Sequence, residues 1–262
     1  MQIYKKILIT LSFAVTCLTF SADEQAPVEK TEKPQIPAEA AAVIKKINQD
    51  AVKLKDLSAK IKYQVTFDNG LFESTTTYLG SIKAANTREE SRLLVTFNSR
   101  REDELEPEAH HEQFYFDGVW LLRIDHNLKT SSNRQMAKPE KPMGIFELMS
   151  QYIPLVALDS METMTSDFHV ALENIDEGKT ASMSFKPVKG SQYAENYKQL
   201  KLTYNLKDCY PAKISGTRAD GEEFVIELSG ASINSEKNKP AGIKPVIPSG
   251  YSTKTIPLKE KE

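Results

Sequence analysis

The sequence predicts an α+β, mainly β fold: an antiparallel sheet, strongly curved or closed, with an N-terminal helix and one short apolar helix set between strands. Three observations carry this. From Ser58 onward apolar residues recur at a period of two. The pairs Asn69-Gly70, Asp117-Gly118 and Asp220-Gly221 punctuate the runs as hairpin turns. Strand also follows strand without the helix that each parallel crossover would require. No internal repeat is visible, and residues 38–258 read as one domain.

Before the domain lies an export signal. Lys5 and Lys6 head an apolar run, Ile7–Leu18, and no acidic residue appears before Asp23. This is the layout of a cleavable leader, residues 1–21, and it is too short to stay in a bilayer as a spanning helix. The mature chain is expected to be exported and to start at Ala22 or Asp23. A rival reading makes Cys17 a lipidation site, although Ala14-Val15-Thr16 fits a lipobox poorly. Loss of the leader takes the formal charge from −2 to −4, which excludes attraction to nucleic acid or to an anionic surface as the main activity. Cys209 is then left without a disulfide partner, so stability has to come from a core. Residues 22–37 have the charged, proline-bearing composition of a flexible linker, and residues 259–262 form a charged tail.

Each element has its own signal. Val43, Ile44, Ile47, Ala51, Val52 and Leu54 recur at helical steps from Ala38, with Leu57 closing the run. Ile61, Tyr63, Val65 and Phe67 alternate up to the Asn69-Gly70 turn, and the chain returns through Leu71–Ile82. Arg92–Phe97 reads as a third strand, followed by a charged loop, Asn98–Glu112. Phe114–Ile124 is a hairpin turned at Asp117-Gly118, apolar on both faces, and it holds the only tryptophan, Trp120. One face is expected to meet a core and the other a cavity. Thr130–Met136 is a polar strand. Met143–Leu158 then has helical spacing until Pro154, and two readings stay open: a helix sealing the barrel end as core, or a movable lid. Phe168–Leu172, Thr180–Pro187, Gln199–Leu206, Ala212–Thr217 and Phe224–Leu228 complete the strands, and Pro240–Pro257 forms an extended tail along the barrel.

Candidates for chemistry are few. His110 and His111 are adjacent, so they point apart on an extended chain and lack a third ligand at metal spacing. His126 and His169 stand alone. Cys209, in a strand beside Tyr210 and Pro211, has no His/Asn framework for a nucleophile. No phosphate loop, nucleophile elbow or zinc motif occurs, so no enzyme, cofactor or metal is expected.

Four local motifs, in order along the chain, resemble the periplasmic outer-membrane lipoprotein carrier superfamily of the LolA type. They are Asp117-Gly118 with Trp120 and Asp125, Phe185-Lys186-Pro187, Asp220-Gly221, and Pro248-Ser249-Gly250. The resemblance implies a half-closed antiparallel barrel whose concave apolar face, covered by helices, shields acyl chains. It implies an acylated lipoprotein or lipid as cargo, with an inner-membrane transporter and an outer-membrane acceptor as partners, for a monomer that binds no nucleic acid. Carried onto this chain, it places Val65, Phe67, Leu94, Phe114, Phe116, Trp120 and Leu122 on or beside the cavity, and Ile145, Phe146, Met149 and Ile153 on the lid. Which alternating set faces the cavity stays open, because a one-residue slip exchanges them. The best-known members bond the lid shut with an arginine before a proline on an early strand. Gly80–Ala85 (GSIKAA) offers lysine and alanine there. That departure favours lipid carriage over a lipoprotein-specific role and leaves room for a lipid-sensing or scaffold protein of the same fold.

Overall fold

Thirteen-residue β1 (Asp56–Asp68) is the spine of the molecule. It pairs on one side with β2 (Glu73–Asn86) and on the other with a strand that arrives much later, β11 (Glu223–Ile233). The computed structural model describes residues 36–51, 53–68, 70–86, 91–145, 148, 166–176, 178–191, 193–235 and 244–258, all within one compact unit, Lys33–Glu262. Outward from β2 follow β3 (Ser91–Glu102), β4 (Glu108–Phe116), β5 (Trp120–Asp125) and β6 (Thr130–Gln135). After residues 149–165 the chain resumes as β7 (Phe168–Asp176) and meanders back through β8 (Thr180–Pro187), β9 (Tyr197–Asn205) and β10 (Tyr210–Arg218) to β11. The strand order is β12-β6-β5-β4-β3-β2-β1-β11-β10-β9-β8-β7, one unclosed twelve-stranded sheet.

Helix α1 (Ala38–Ala51) carries Ala40, Val43, Ile44 and Ile47 on one stripe, all buried. The stripe packs on Phe168, Val170, Met183, Phe185, Leu200 and Leu202, so α1 covers the β7–β11 half of one face, called here the inner face. On the β1–β4 half of that face, Leu57, Ala59, Ile61, Tyr78, Ile82, Leu93, Phe97 and Phe116 form a second cluster with Ala137, Met143, Ile145 and Leu148. Tyr63 and Ile226 touch both clusters, which makes the inner face continuous. The outer face has its own small core: Tyr115, Leu122 and Ile124, with Leu94, Ile247 and Tyr251 packed against them.

Several boundaries differ from the sequence expectation. The helical run does not reach Leu57, which lies on β1 opposite Ile233; pairing on both sides of β1 outweighs the helical spacing. The charged stretch expected as a loop over Asn98–Glu112 is mostly sheet. Ser99 pairs with Ala109 and Arg100 with Glu108, leaving only 103–107 between the strands. Charged side chains are compatible with strands where one face meets solvent, and Arg101, Glu108 and Ala109 are exposed. Cys209 sits in the β9–β10 turn rather than a strand, at φ 58°. The tail is extended as expected, but β12 (Ser252–Ile256) pairs with β6 in parallel, a departure from a purely antiparallel sheet. Of the apolar segment Met143–Leu158, Ile145 and Leu148 are helical and buried; Phe146, Met149 and Ile153 lie outside the described residues.

Candidate functional site

Register on the inner face brings aromatic side chains from four consecutive strands into one row. Tyr63 of β1 opposes Tyr78 of β2, with ring centroids 6.0 Å apart. Tyr78 lies 5.6 Å from Phe97 of β3, and Phe97 lies 6.3 Å from Phe114 of β4, edge to face. Contacts of this geometry add to simple area burial. Tyr63, Val65, Phe67, Val95 and Phe114 remain half-buried, so the row is partly open where α1 does not reach. Burial pushes the Tyr63 hydroxyl up to about 12, against the lowering influence of Arg218. It stays neutral and donor-capable throughout the physiological range.

A polar cluster bounds the row at β4–β5. Glu112 is only 5% exposed. Arg123 Nε donates to its Oε1, and His110 Nε2 stands 3.3 Å from its Oε2. Burial pushes the Glu112 carboxyl up, but the His110 hydrogen bond and the Arg123 guanidinium outweigh it and leave the group below its ordinary range. Arg123 also reaches Asp125 and lies over the Phe114 ring at 5.8 Å. The charges are thus matched internally, as buried ions require. At the same end of the sheet, the β1–β2 and β3–β4 tips expose Leu71, Phe72 and Leu105. Asp103 ties the tips together, its Oδ1 accepting the Thr75 N–H at 2.6 Å.

The predicted cavity residues divide between the faces. Val65, Phe67, Phe114 and Phe116 are on the inner face, Phe116 being fully buried. Leu94 and Leu122 belong to the outer core, and strand alternation places Trp120 with them. No single cavity takes all seven. Ile145 packs in the inner cluster beside Phe116. The hairpin is apolar on both sides because the inner cluster covers one and the C-terminal segment, through Ile247 and Tyr251, covers the other. Tyr63, Tyr78 and Phe97 were not among the sequence candidates. Their signal was present in the alternation, but only cross-strand register joins them.

His126 does not stand alone. Its ring stacks on His111 at 3.9 Å, Nδ1 lies 2.9 Å from the Tyr251 hydroxyl, and Nε2 lies 3.0 Å from Gln113 Oε1. Burial pushes its pKa down and His111 lowers it further, with Asp125 opposing. Among the described residues no group of three or more His, Cys, Asp or Glu is arranged to hold a metal, and no helix is long and apolar enough to cross a membrane.

No family model and no curated relative matches the sequence. Similarity appears at the level of three-dimensional structure. An uncharacterised conserved protein from Thermus thermophilus aligns over 83% of this chain and 99% of its own at 10% identity, TM-score 0.47. A putative outer-membrane lipoprotein-sorting protein domain from Vibrio parahaemolyticus aligns over 74% and 92% at 10% identity, TM-score 0.35. A LolA superfamily protein from Nitrosomonas europaea aligns over 75% and 94% at 11% identity, TM-score 0.29. The unclosed, mainly β sheet is the half-open arrangement expected from the sequence. At these identities the likeness concerns architecture and says nothing of what this chain binds. Within the sheet, the aromatic row occupies the inner surface next to the helix-covered half.

Proposed function

We propose that this chain is an exported, periplasmic carrier that holds the acyl chains of a lipoprotein or lipid on its inner face and passes them toward the outer membrane. The observation that supports it is the half-open aromatic row on β1–β4, beside a helix that packs on the other half of the same face. Each CH₂ buried there contributes about 0.8 kcal/mol, so even one long chain supplies ample binding energy. At its edge Glu112 and Arg123 are paired with each other. The protein acts by binding and not by catalysis, and the inner-membrane transporter and outer-membrane acceptor are its proposed partners.

A second reading, a lipid-sensing or scaffold protein of the same fold, is favoured by one feature. The apolar tips Leu71, Phe72 and Leu105 are set among Asp68, Glu73, Asp103, Glu104 and Glu106, a surface suited to a protein partner with basic borders.

Lipid extraction of protein purified from its native envelope separates the readings. Copurifying acylated protein supports a lipoprotein carrier; free lipid alone favours a lipid transporter or the sensor. Turnover of ester substrates would make the protein an enzyme. Preparations free of lipid that also fail to take up a fluorescent fatty acid remove the carrier proposal. Intact-mass analysis should place the mature start at Ala22 or Asp23, and diacylglycerol on Cys17 would overturn a freely diffusing carrier.

A further inference from the structure

Two neighbouring hairpin tips, residues 69–72 between β1 and β2 and residues 103–107 between β3 and β4, carry Leu71, Phe72 and Leu105 at 91%, 59% and 65% exposure. Among the described residues seven large apolar side chains are exposed, and three of them sit here. Exposed apolar residues scattered singly need no explanation, whereas a group of them marks an interaction site. We propose that the paired tips are a docking surface for a protein partner whose contact segment carries large apolar residues flanked by lysine or arginine. The proposal deepens the partner-binding reading above and rests on it.

Hydrogen bonding joins the tips into one surface. Thr76 of β2 pairs with Glu102 of β3, so the chain leaves both strands side by side. Beyond that pair, the Asp103 N–H donates to the Thr75 carbonyl at 2.8 Å, and Asp103 Oδ1 accepts the Thr75 N–H at 2.6 Å. In the first tip Asp68 Oδ1 accepts the Gly70 N–H at 2.7 Å; in the second the Glu102 carbonyl accepts the Leu105 N–H at 3.0 Å. Backbone fixed before contact lowers the ordering cost of binding. The Phe72 ring lies 6.4 Å from that of half-buried Phe67, so the apolar tip surface runs on from the half-open inner face.

Charge selects the occupant. Positions 68–75 and 102–108 hold seven acids and no lysine or arginine. Arg100 engages Glu102 and Glu108 at the strand ends, and Asp68 and Asp103 serve the turns. Exposed Glu73, Glu104 and Glu106 therefore give the tips their outward charge. In a chain with 34 Lys+Arg against 36 Asp+Glu this excess is local. It repels an anionic bilayer. A second copy docked about a twofold axis would set the same acids against one another. A protein segment with basic borders answers both features: its apolar residues cover Leu71, Phe72 and Leu105, while its cations face the glutamates and speed association.

The test follows the anisotropy of a rhodamine-labelled peptide, KLFRLK, as the full chain is added, with KSSRSK and ELFELE as controls. A saturable rise with KLFRLK alone, weakened by added salt, is expected. Leu71→Ser/Leu105→Ser should weaken binding by about tenfold, and Glu104→Gln/Glu106→Gln by about threefold or more, the scales of lost apolar burial and of exposed charge contacts. These four side chains are exposed, so both variants should keep the parent's urea midpoint. Phe114→Ser should bind the peptide as the parent does, and Leu71→Ser/Leu105→Ser should take up a fluorescent fatty acid as the parent does. A parent that binds the peptide and takes up no fatty acid removes the carrier reading and upholds this one. Binding that survives both tip variants, that either control peptide reproduces, or that Phe114→Ser abolishes overturns the proposal. So does silence with KLFRLK up to sub-millimolar chain, or tip-dependent vesicle adsorption or self-association in place of peptide binding.

Discussion

Cutting Phe116 and Phe114 to alanine, one at a time, tests whether the inner face is a packed core at one point and a binding surface at the next. Both side chains come from β4 and point the same way, two residues apart. Phe116 is 0% exposed, enclosed in the cluster that holds Leu93, Met143, Ile145 and Leu148. Its removal loses the transfer energy of the ring and leaves a cavity whose walls come from several segments, so the cost should be about 3–5 kcal/mol. For a domain of this size that corresponds to roughly 6–20 °C in Tm. Phe114 is half-buried, edge-on to Phe97 and under the Arg123 guanidinium. Its truncation should cost about 1–2 kcal/mol, since part of the ring already meets solvent and only part of the transfer term is lost. Urea denaturation gives the two midpoints, and displacement of a fluorescent fatty acid gives the two affinities. The expected pattern is a large stability loss with little intrinsic change in affinity for Phe116→Ala, and the reverse for Phe114→Ala. Equal stability losses with unchanged fatty-acid affinity would refute the division of the face into core and binding surface.

Other outcomes follow from the same geometry. Glu112→Gln should destabilise by about 1–3 kcal/mol, below the roughly 3–5 kcal/mol of a fully buried broken pair, because Arg123 is partly solvated and retains Asp125. With its folded pKa depressed, Glu112 contributes stability that is present above its ordinary value of 4.5 and lost as pH falls through the folded pKa. The urea midpoint of the parent should therefore fall more steeply than that of Glu112→Gln on acidification below about pH 5. His126 is a base with a depressed folded pKa, so the unfolded chain binds its proton first and stability drops as pH falls through the ordinary value of 6.5. Amide exchange of residues 247–256 should quicken over that range, and His126→Gln should flatten the response. Gly80→Ala should cost about 1–3 kcal/mol or more, because a Cβ there collides with the Thr96 carbonyl oxygen, whereas nothing lies within 4 Å of a Cβ at Gly144. Thermal melts of the two variants compare them directly.

Alternation and turn chemistry are local, and they were legible at once. Tyr63, Val65 and Phe67 share a strand face, Asp117-Gly118 turns a hairpin, and Val43, Ile44 and Ile47 line a helix whatever the rest of the chain does. The charged strand ends at 99–112 were missed because charge opposes a strand only when both faces are buried, and burial is not a local property. Parity along a strand likewise separates Phe114 and Phe116 from Tyr115 without saying what covers either set. That was decided by segments far away: α1 with Met143, Ile145 and Leu148 on the inner side, Ile247 and Tyr251 on the outer. The same distance hid the His126 site, whose tyrosine partner lies 125 residues along the chain. The sequence determined which residues share a face, because covalent geometry alternates side chains. Only the tertiary structure decided which face meets core, tail or open surface, because cover for a sheet is supplied by non-local packing.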